Sequence, residues 1–407
     1  MREGYKKTEL GEIPVEWEVN KLEKICEIIM GQSPKSSTFN ENQEGIPFFQ
    51  GKTEFGNIYP KVVKWCTEPT KIARPFDILL SVRAPVGDVN INNVKACIGR
   101  GLTAIRHTKN SDYRFIYYIL IKFRSELEKL AQGSTFTAIS TSNIKNLLIP
   151  IPPIQEQQKI ADILFTVDEL IEQTDVLIEK TKELKKGLMQ RLLTKGIGHT
   201  DFKKTEIGEI PVEWEIHEFG SVIEKVVGGG TPSRKKREYF EGEIPWATVK
   251  DLDDEFYKYD TIEHITKEAI NESAANIVDC NNIIIATRMG LGRGFINKVP
   301  MAINQDLKGI YPNRNMSVEF IMFWILFNGN KFEMMGKGST VKGIRLEELR
   351  KILIPVPPLR EQKEIASVLL SVDTTIDEYQ TKKQKLQTLK QGLMQKLLTG
   401  KIRVKVS

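Results

Sequence analysis

The chain has 407 residues, 40% of them hydrophobic and 28% charged, with a net charge of +6. That length exceeds one ordinary core and predicts two or more domains, and the composition is that of a soluble protein with no apolar run near the roughly 20 residues of a membrane span. Cys26, Cys66, Cys97 and Cys280 form no C-x-x-C pair and the histidines are scattered, which speaks for reduced thiols in a cytoplasmic protein and against a metal or other cofactor.

The opening "MREGYKKTEL" is charged and has no apolar signal stretch, so export is not expected. It leads into a phrase that returns: "KKTELGEIPVEWEV" (6–19) recurs as "KKTEIGEIPVEWEI" (203–216). The repeat then continues along the chain. "GQSP" at Gly31 answers to "GGTP" at Gly229, and "IPFFQGK" at Ile46 to "IPWATVK" at Ile244. "DILLSVRAPVGDVNI" from Asp77 answers to "NIIIATRMGLGRGFI" from Asn282, and "GSTFTAIS" from Gly133 to "GSTVKGIR" from Gly338. The offset is 197–198 early and 205 later, so the second copy carries about seven extra residues near the acidic "DLDDEFYKYD". The ends of each copy are nearly identical and the middles agree only in pattern. That is how a constant fold with a variable surface would read.

The middles read as α/β. "DILLSV" and "NIIIAT" are short apolar runs with the look of buried strands. "FIYYILIKF" from Phe115 and "FIMFWILFN" from Phe320 read as buried helices, with Ser111 or Asp112 and Ser317 as N-caps. Their aromatics belong to a core rather than to a base-stacking surface.

The ends read as long helices. "PIPPIQEQ" and "PVPPLREQ" force an extended exit, after which the last proline suits a first helical turn. From Gln155 to about Lys195 no proline appears, and Ile160, Ile163, Val167, Leu170, Leu177, Leu184 and Leu188 mark an a/d seam in which Thr174 and Thr181 fill slots. The second copy supplies Ile365, Val368, Val372, Ile376, Tyr379, Leu386, Leu389 and Leu393. Leu164, Ile171 and Ile178 widen the first stripe beyond that seam. A solvated single helix of this length is marginal, so the two copies are expected to pack antiparallel, in an approximate two-fold arrangement. The predicted divisions are 1–153, 154–197, 198–358 and 359–407, with Trp17 and Trp214 as apolar plugs where domain meets helix.

This tandem of a variable α/β domain and a long helix, with "IPPIQEQQKIADIL" at one junction and "GLMQ[RK]LLT" at both helix ends, resembles the specificity subunit of a type I restriction–modification system. The resemblance covers essentially the whole chain. It implies two similar globular target-recognition domains separated by two antiparallel helices forming a coiled coil. It also implies a subunit without enzymatic activity that binds double-stranded DNA. Each domain would read one half of a bipartite site, and the helices would set the spacing and dock two methyltransferase subunits. Restriction–translocase subunits would join through that complex.

Charge supports a polyanion partner unevenly. Residues 21–150 carry 18 Lys/Arg against 11 Asp/Glu, whereas residues 201–355 carry 21 against 24, so in the second copy DNA should avoid the acidic stretch. The candidate DNA contacts are Arg83 and Arg288, which align beside a Gly/Pro turn, the equivalent Lys52 and Lys250, and the glycine-flanked Arg100 and Arg293. The basic cluster Thr231, Arg234, Lys235, Lys236 and Arg237 suits phosphates, as do Ser134 and Thr135 with their counterparts Ser339, Thr340 and Lys342. Candidate partner-facing residues on the helices are Leu164, Ile171, Ile178, Met189, Leu192, Leu193, Met394, Leu397 and Leu398. No phosphate-binding "GxxxxGK[ST]" loop, methyltransferase "NPPY/DPPY" string or Ser/His/Asp set is found. A self-sufficient DNA-modifying enzyme and a coiled-coil adaptor without a DNA role are the competing readings.

Overall fold

A computed structural model describes residues 2–132, 138–337 and 343–405. The chain divides into two compact units, Met1–Val176 with Gln380–Ser407 and Leu177–Tyr379. Both long helices, Ile154–Lys195 and Leu359–Leu397, contribute one half to each unit.

In the first unit the apolar run Ile78–Ser81 is buried on every residue, as a strand covered on both faces must be. It lies inside an antiparallel sheet ordered Val89–Ile91, Ile78–Ser81, Leu102–His107, Cys26–Met30. A second sheet pairs Ile46–Phe49 in parallel with Ala96–Ile98, Cys97 opposite Phe48. The helix Tyr113–Lys122 buries Phe115 through Leu120 against the first sheet. Asp112 caps it by accepting from the Arg114 and Phe115 amides. Ser111, the other predicted cap, instead donates to the Ile25 carbonyl at 2.8 Å.

The second unit repeats this plan. Asn282–Ala286 sits between Leu307–Pro312 and Gly294–Asn297, and Ile244–Ala247 runs parallel to Met301–Ile303 with Trp246 opposite Ala302. The helix Val318–Phe327 is capped by Ser317. Strand register locates most of the extra residues. Cys66 and Ile265 are equivalent, and so are Ile72 and Ile277. Five residues separate the first pair of landmarks and eleven the second. The added segment holds the short helix Lys267–Asn271, capped by Thr266. Within the acidic stretch Asp251 is buried and accepts from the Thr248 and Ile262 amides, both at 2.8 Å. That carboxylate therefore builds a turn rather than facing solvent.

The long helices pack antiparallel in both units. In the first, Lys390 meets Asp168 at 2.6 Å and Lys383 meets Asp175 at 2.5 Å; in the second, Lys185 meets Asp373 at 2.5 Å. The covered line on the central helix is Ile160, Leu164, Val167, Ile171 and Thr174 in the first unit, then Ile178, Thr181, Lys185, Leu188 and Leu192 in the second. This corrects the predicted seam. Leu170, Leu177 and Leu184 are 38%, 39% and 55% exposed, and Val368 and Leu389 also face outward. Leu164, Ile171 and Ile178, expected to face a partner, form the intramolecular seam instead. Residues three and four positions from one seam line lie on opposite flanks of it, and both flanks are apolar here. Three lysines occupy seam positions, and their aspartates fix pairing and direction.

Besides the Asp175–Lys383 pair, whose equivalents are Gln380 and Ile178, the two seams differ at one hydroxyl. In the first unit the Tyr118 hydroxyl donates to Asp168 Oδ2 at 2.7 Å. In the second, Phe323 stands at the equivalent position, and Asp373 Oδ2 is buried without a hydrogen-bond partner among the described residues. Phe323→Tyr should therefore stabilise the protein by about 1.5 kcal/mol, the scale of a hydrogen bond to a charged group, and Tyr118→Phe should lose a similar amount. Thermal denaturation of the two variants checks this. An unchanged or lower melting point for Phe323→Tyr would show that the hydroxyl finds no partner there.

Candidate nucleic-acid interface

The repeated phrases meet at two polar latches. Trp17 and Trp214 are fully buried, and a buried indole N–H needs an acceptor. Trp17 Nε1 donates to Glu156 Oε2 at 2.9 Å, and Trp214 Nε1 to Glu361 Oε2 at 2.9 Å. These glutamates are those of "PPIQEQ" and "PPLREQ". The glutamine after each clamps the turn before the buried helix. Gln157 accepts from the Asp112 amide at 3.0 Å and donates to the Pro152 carbonyl at 2.9 Å. Gln362 accepts from the Ser317 amide and donates to the Pro357 carbonyl, both at 2.8 Å. The second carboxylate contact differs between copies. Arg403 donates to Glu156 from Nε at 2.8 Å and Nη2 at 3.0 Å, whereas His199 Nε2 lies 2.9 Å from Glu361 Oε1.

On each unit four predicted segments converge on one corner. In the first unit the turn Gly99–Leu102 is its centre. The Gly99 amide donates to the Phe49 carbonyl at 2.8 Å, Gln32 N to the Ile98 carbonyl at 3.0 Å, and Val82 N to the Gly101 carbonyl at 2.9 Å. Ile139 N, just after the "GSTFT" segment, reaches the Val82 carbonyl at 3.0 Å. The second unit makes the same four bonds: Asn304 to Ala247 at 3.0 Å, Gly230 to Ile303 at 3.0 Å, Thr287 to Asp306 at 2.9 Å and Ile344 to Thr287 at 2.8 Å. The approach is tight. A Cβ on Gly31 would collide with the Gly99 carbonyl, and one on Gly229 with the Ile303 carbonyl, which explains glycine at the head of "GQSP" and "GGTP".

The predicted contacts distribute around these corners. Arg83 and Arg288 are exposed, each one residue beyond a corner bond; Arg288 lies 3.9 Å from Asp306. Arg100 is exposed at the centre of the first turn. Its structural equivalent is Gln305, not Arg293, whose Nη2 donates to the Leu252 carbonyl. Gln305 was missed because it is neutral, although "CIGRGL" and "AINQDL" align at the offset of 205. Lys52 pairs with Asp88 at 2.6 Å, while the Lys250 side chain is exposed. Burial pushes the nearby Lys308 ammonium below its ordinary range, with Arg288 adding to the effect.

The basic cluster separates into two kinds. Arg234 makes a bidentate pair with Glu263 at 2.7 and 2.8 Å and stacks over Phe240. Those hydrogen bonds hold the Glu263 carboxyl below its usual range. Lys236 pairs with Glu272 at 2.8 Å. Lys235 and Arg237 are exposed and have no ion pair among the described residues. Thr231 donates to Gln305 Oε1 at 2.5 Å. Ser134, Thr135, Ser339, Thr340 and Lys342 lie outside the described residues.

The remaining partner-facing expectations meet a similar correction to that of the seam. Leu192 and Leu193 are buried in the core of the second unit, and Met394, Leu397 and Leu398 in that of the first. Met189 is half-buried against the second core. The chain's own domains cover Leu192, Leu193, Met394, Leu397 and Leu398, while Met189 keeps part of its surface exposed. Among the described residues no helix is long and apolar enough to cross a membrane, and no group of three His, Cys, Asp or Glu could hold a metal ion.

Comparison with known proteins places this geometry. The family described as type I restriction modification DNA specificity domain matches twice, over residues 14–183 and 211–388. A chain named for the MjaX type I restriction enzyme specificity subunit of Methanocaldococcus jannaschii is 48% identical over 193 residues, spanning 47% of this chain and less than half (45%) of that protein. The MjaIX specificity subunit of the same organism is 32% identical over 429 residues, spanning 98% of this chain and 96% of that one. The crystal structure of the type I restriction–modification S subunit from M. genitalium matches with a TM-score of 0.62 at 17% identity, covering 96% and 97% of the two chains. At that identity the likeness is one of fold.

Proposed function

The chain belongs to the type I restriction–modification DNA specificity family, and from that premise we propose that each unit reads one half of an asymmetric, two-part site in double-stranded DNA. The observation that carries this reading is the paired corner. The same segments converge on the same four backbone bonds in both units, yet present different side chains. One scaffold with two unlike surfaces suits two unlike half-sites.

In this reading the long helices set the separation of the halves. DNA repeats about every 34 Å, so a fixed separation selects half-sites at one spacing and on one face. Linking the readers makes two weak recognitions into one tight one. The divisions 1–153, 154–197, 198–358 and 359–407 are then reader, spacer, reader and spacer. Leu170, Leu177, Leu184, Val368 and Leu389, exposed on the helices, support docking of methyltransferase subunits, two in the full complex, with restriction–translocase subunits joining through it. The chain supplies recognition, and its partners supply the chemistry.

Duplex binding by the chain assembled with methyltransferase subunits should weaken steeply as salt rises, because phosphate contacts release counterions. Lys235→Ala and Arg237→Ala should each weaken binding to all duplexes alike and lower the log–log salt slope by roughly 1. Arg234→Ala should instead lower the melting temperature, since its guanidinium is committed to Glu263 and Phe240. Binding indifferent to salt, or no binding to any duplex, would overturn the reading.

A further inference from the structure

We propose that Arg100 and Gln305 are equivalent specificity-determining residues, Arg100 selecting a guanine in one half-site and Gln305 an adenine in the other. This rests on the DNA-reading function above and names the two residues that make the halves differ.

The equivalence comes from strand register. Ile98 opposes Phe49 and Ile303 opposes Ala247 in the same parallel pairing. Arg100 and Gln305 each follow two residues later. The turns close identically, Leu102 N on the Gly99 carbonyl at 3.0 Å and Leu307 N on the Asn304 carbonyl at 3.3 Å. Each residue is thus exposed on a short turn held by two buried strands and by the adjoining loops. A base reader needs such a rigid mount.

The side chains supply the choice of base. The Arg100 guanidinium has no hydrogen bond or ion pair among the described residues; only its backbone amide is engaged, by Ser33 Oγ at 3.3 Å. It presents donors and no acceptor, which matches the two acceptors O6 and N7 of guanine. Gln305 presents one of each. Thr231 uses one lone pair of Oε1 at 2.5 Å, leaving the second lone pair to accept from adenine N6 while Nε2 donates to N7. The next residue reinforces the contrast. Gly101 is uncharged, whereas Asp306 stands beside Gln305 with Oδ2 3.5 Å from Nε2. Its carboxylate would pair with a cationic side chain at this position and compete with a base for it.

The test selects a randomised duplex library on the full chain assembled with methyltransferase subunits of its host, and sequences the bound fraction. The wild type should enrich a two-part motif with a G·C pair in one half and an A·T pair in the other. Arg100→Gln should replace that G·C by A·T in the first half alone, with discrimination at the position shifted roughly tenfold. Gln305→Arg should make the reverse change in the second half alone. Weaker binding with an unchanged motif would mean phosphate contact and would overturn the assignment. A two-part motif that neither substitution alters overturns it as well, leaving the DNA-reading function intact. A wild type that enriches no motif overturns that function and this assignment together.

Discussion

Replacing Glu156 by Ala should cost the protein about 2–3 kcal/mol, the scale of leaving a buried donor unsatisfied. The carboxylate is almost wholly buried and serves two elements distant in sequence, the Trp17 indole and the Arg403 guanidinium. Its loss leaves a fully buried N–H without an acceptor and strips Arg403 of its main partner. Arg403 also reaches Glu16 and is partly exposed, so the cation retains some compensation. Most of the cost therefore falls on Trp17. Glu156→Gln keeps an acceptor for the indole but loses the charge, and should fall between wild type and Glu156→Ala. The equivalent Glu361→Ala should also destabilise, since Trp214, His199 and the Ile197 amide share that carboxylate. Thermal denaturation should show a drop on the order of 10 °C for Glu156→Ala. A drop of a degree or less would mean that the latch is replaceable by water.

Removing one heptad from each long helix should shorten the preferred gap between half-sites and leave the half-sites themselves unchanged. Deleting residues 174–180 together with 378–384 removes Asp175 along with its partner Lys383 and keeps the Asp168–Lys390 and Lys185–Asp373 pairs. Seven residues are about 10 Å of helix, or roughly three base pairs at 3.4 Å each. Three base pairs also turn the duplex by roughly 100°, so affinity should fall as the gap changes. Duplexes carrying both half-sites at graded spacings measure this directly. An unchanged optimum spacing, or altered half-site bases, would contradict the spacer role.

The amino-acid sequence by itself determined the repeat, the buried strand at Ile78–Ser81, the buried helices beginning after Ser111 or Asp112 and after Ser317, and the two long helices. Each is a local matter of apolar periodicity, capping or proline placement. The line Ile160, Val167, Thr174, Thr181 and Leu188 was legible for the same reason. Which flank of that line faces the partner helix was not, because Leu170 and Ile171 are both apolar and their spacing distinguishes a stripe, not a direction. The glutamate–tryptophan latch joins residues 139 positions apart, so only packing could reveal why "EW" and "EQ" recur together. The corner likewise depends on strand register, which brings residues near 32, 50, 82, 100 and 139 to one place. Gln305 stood out only there: the offset of 205 aligns it with Arg100, but a neutral loop residue marks no contact chemistry, and its meaning comes from the shared corner.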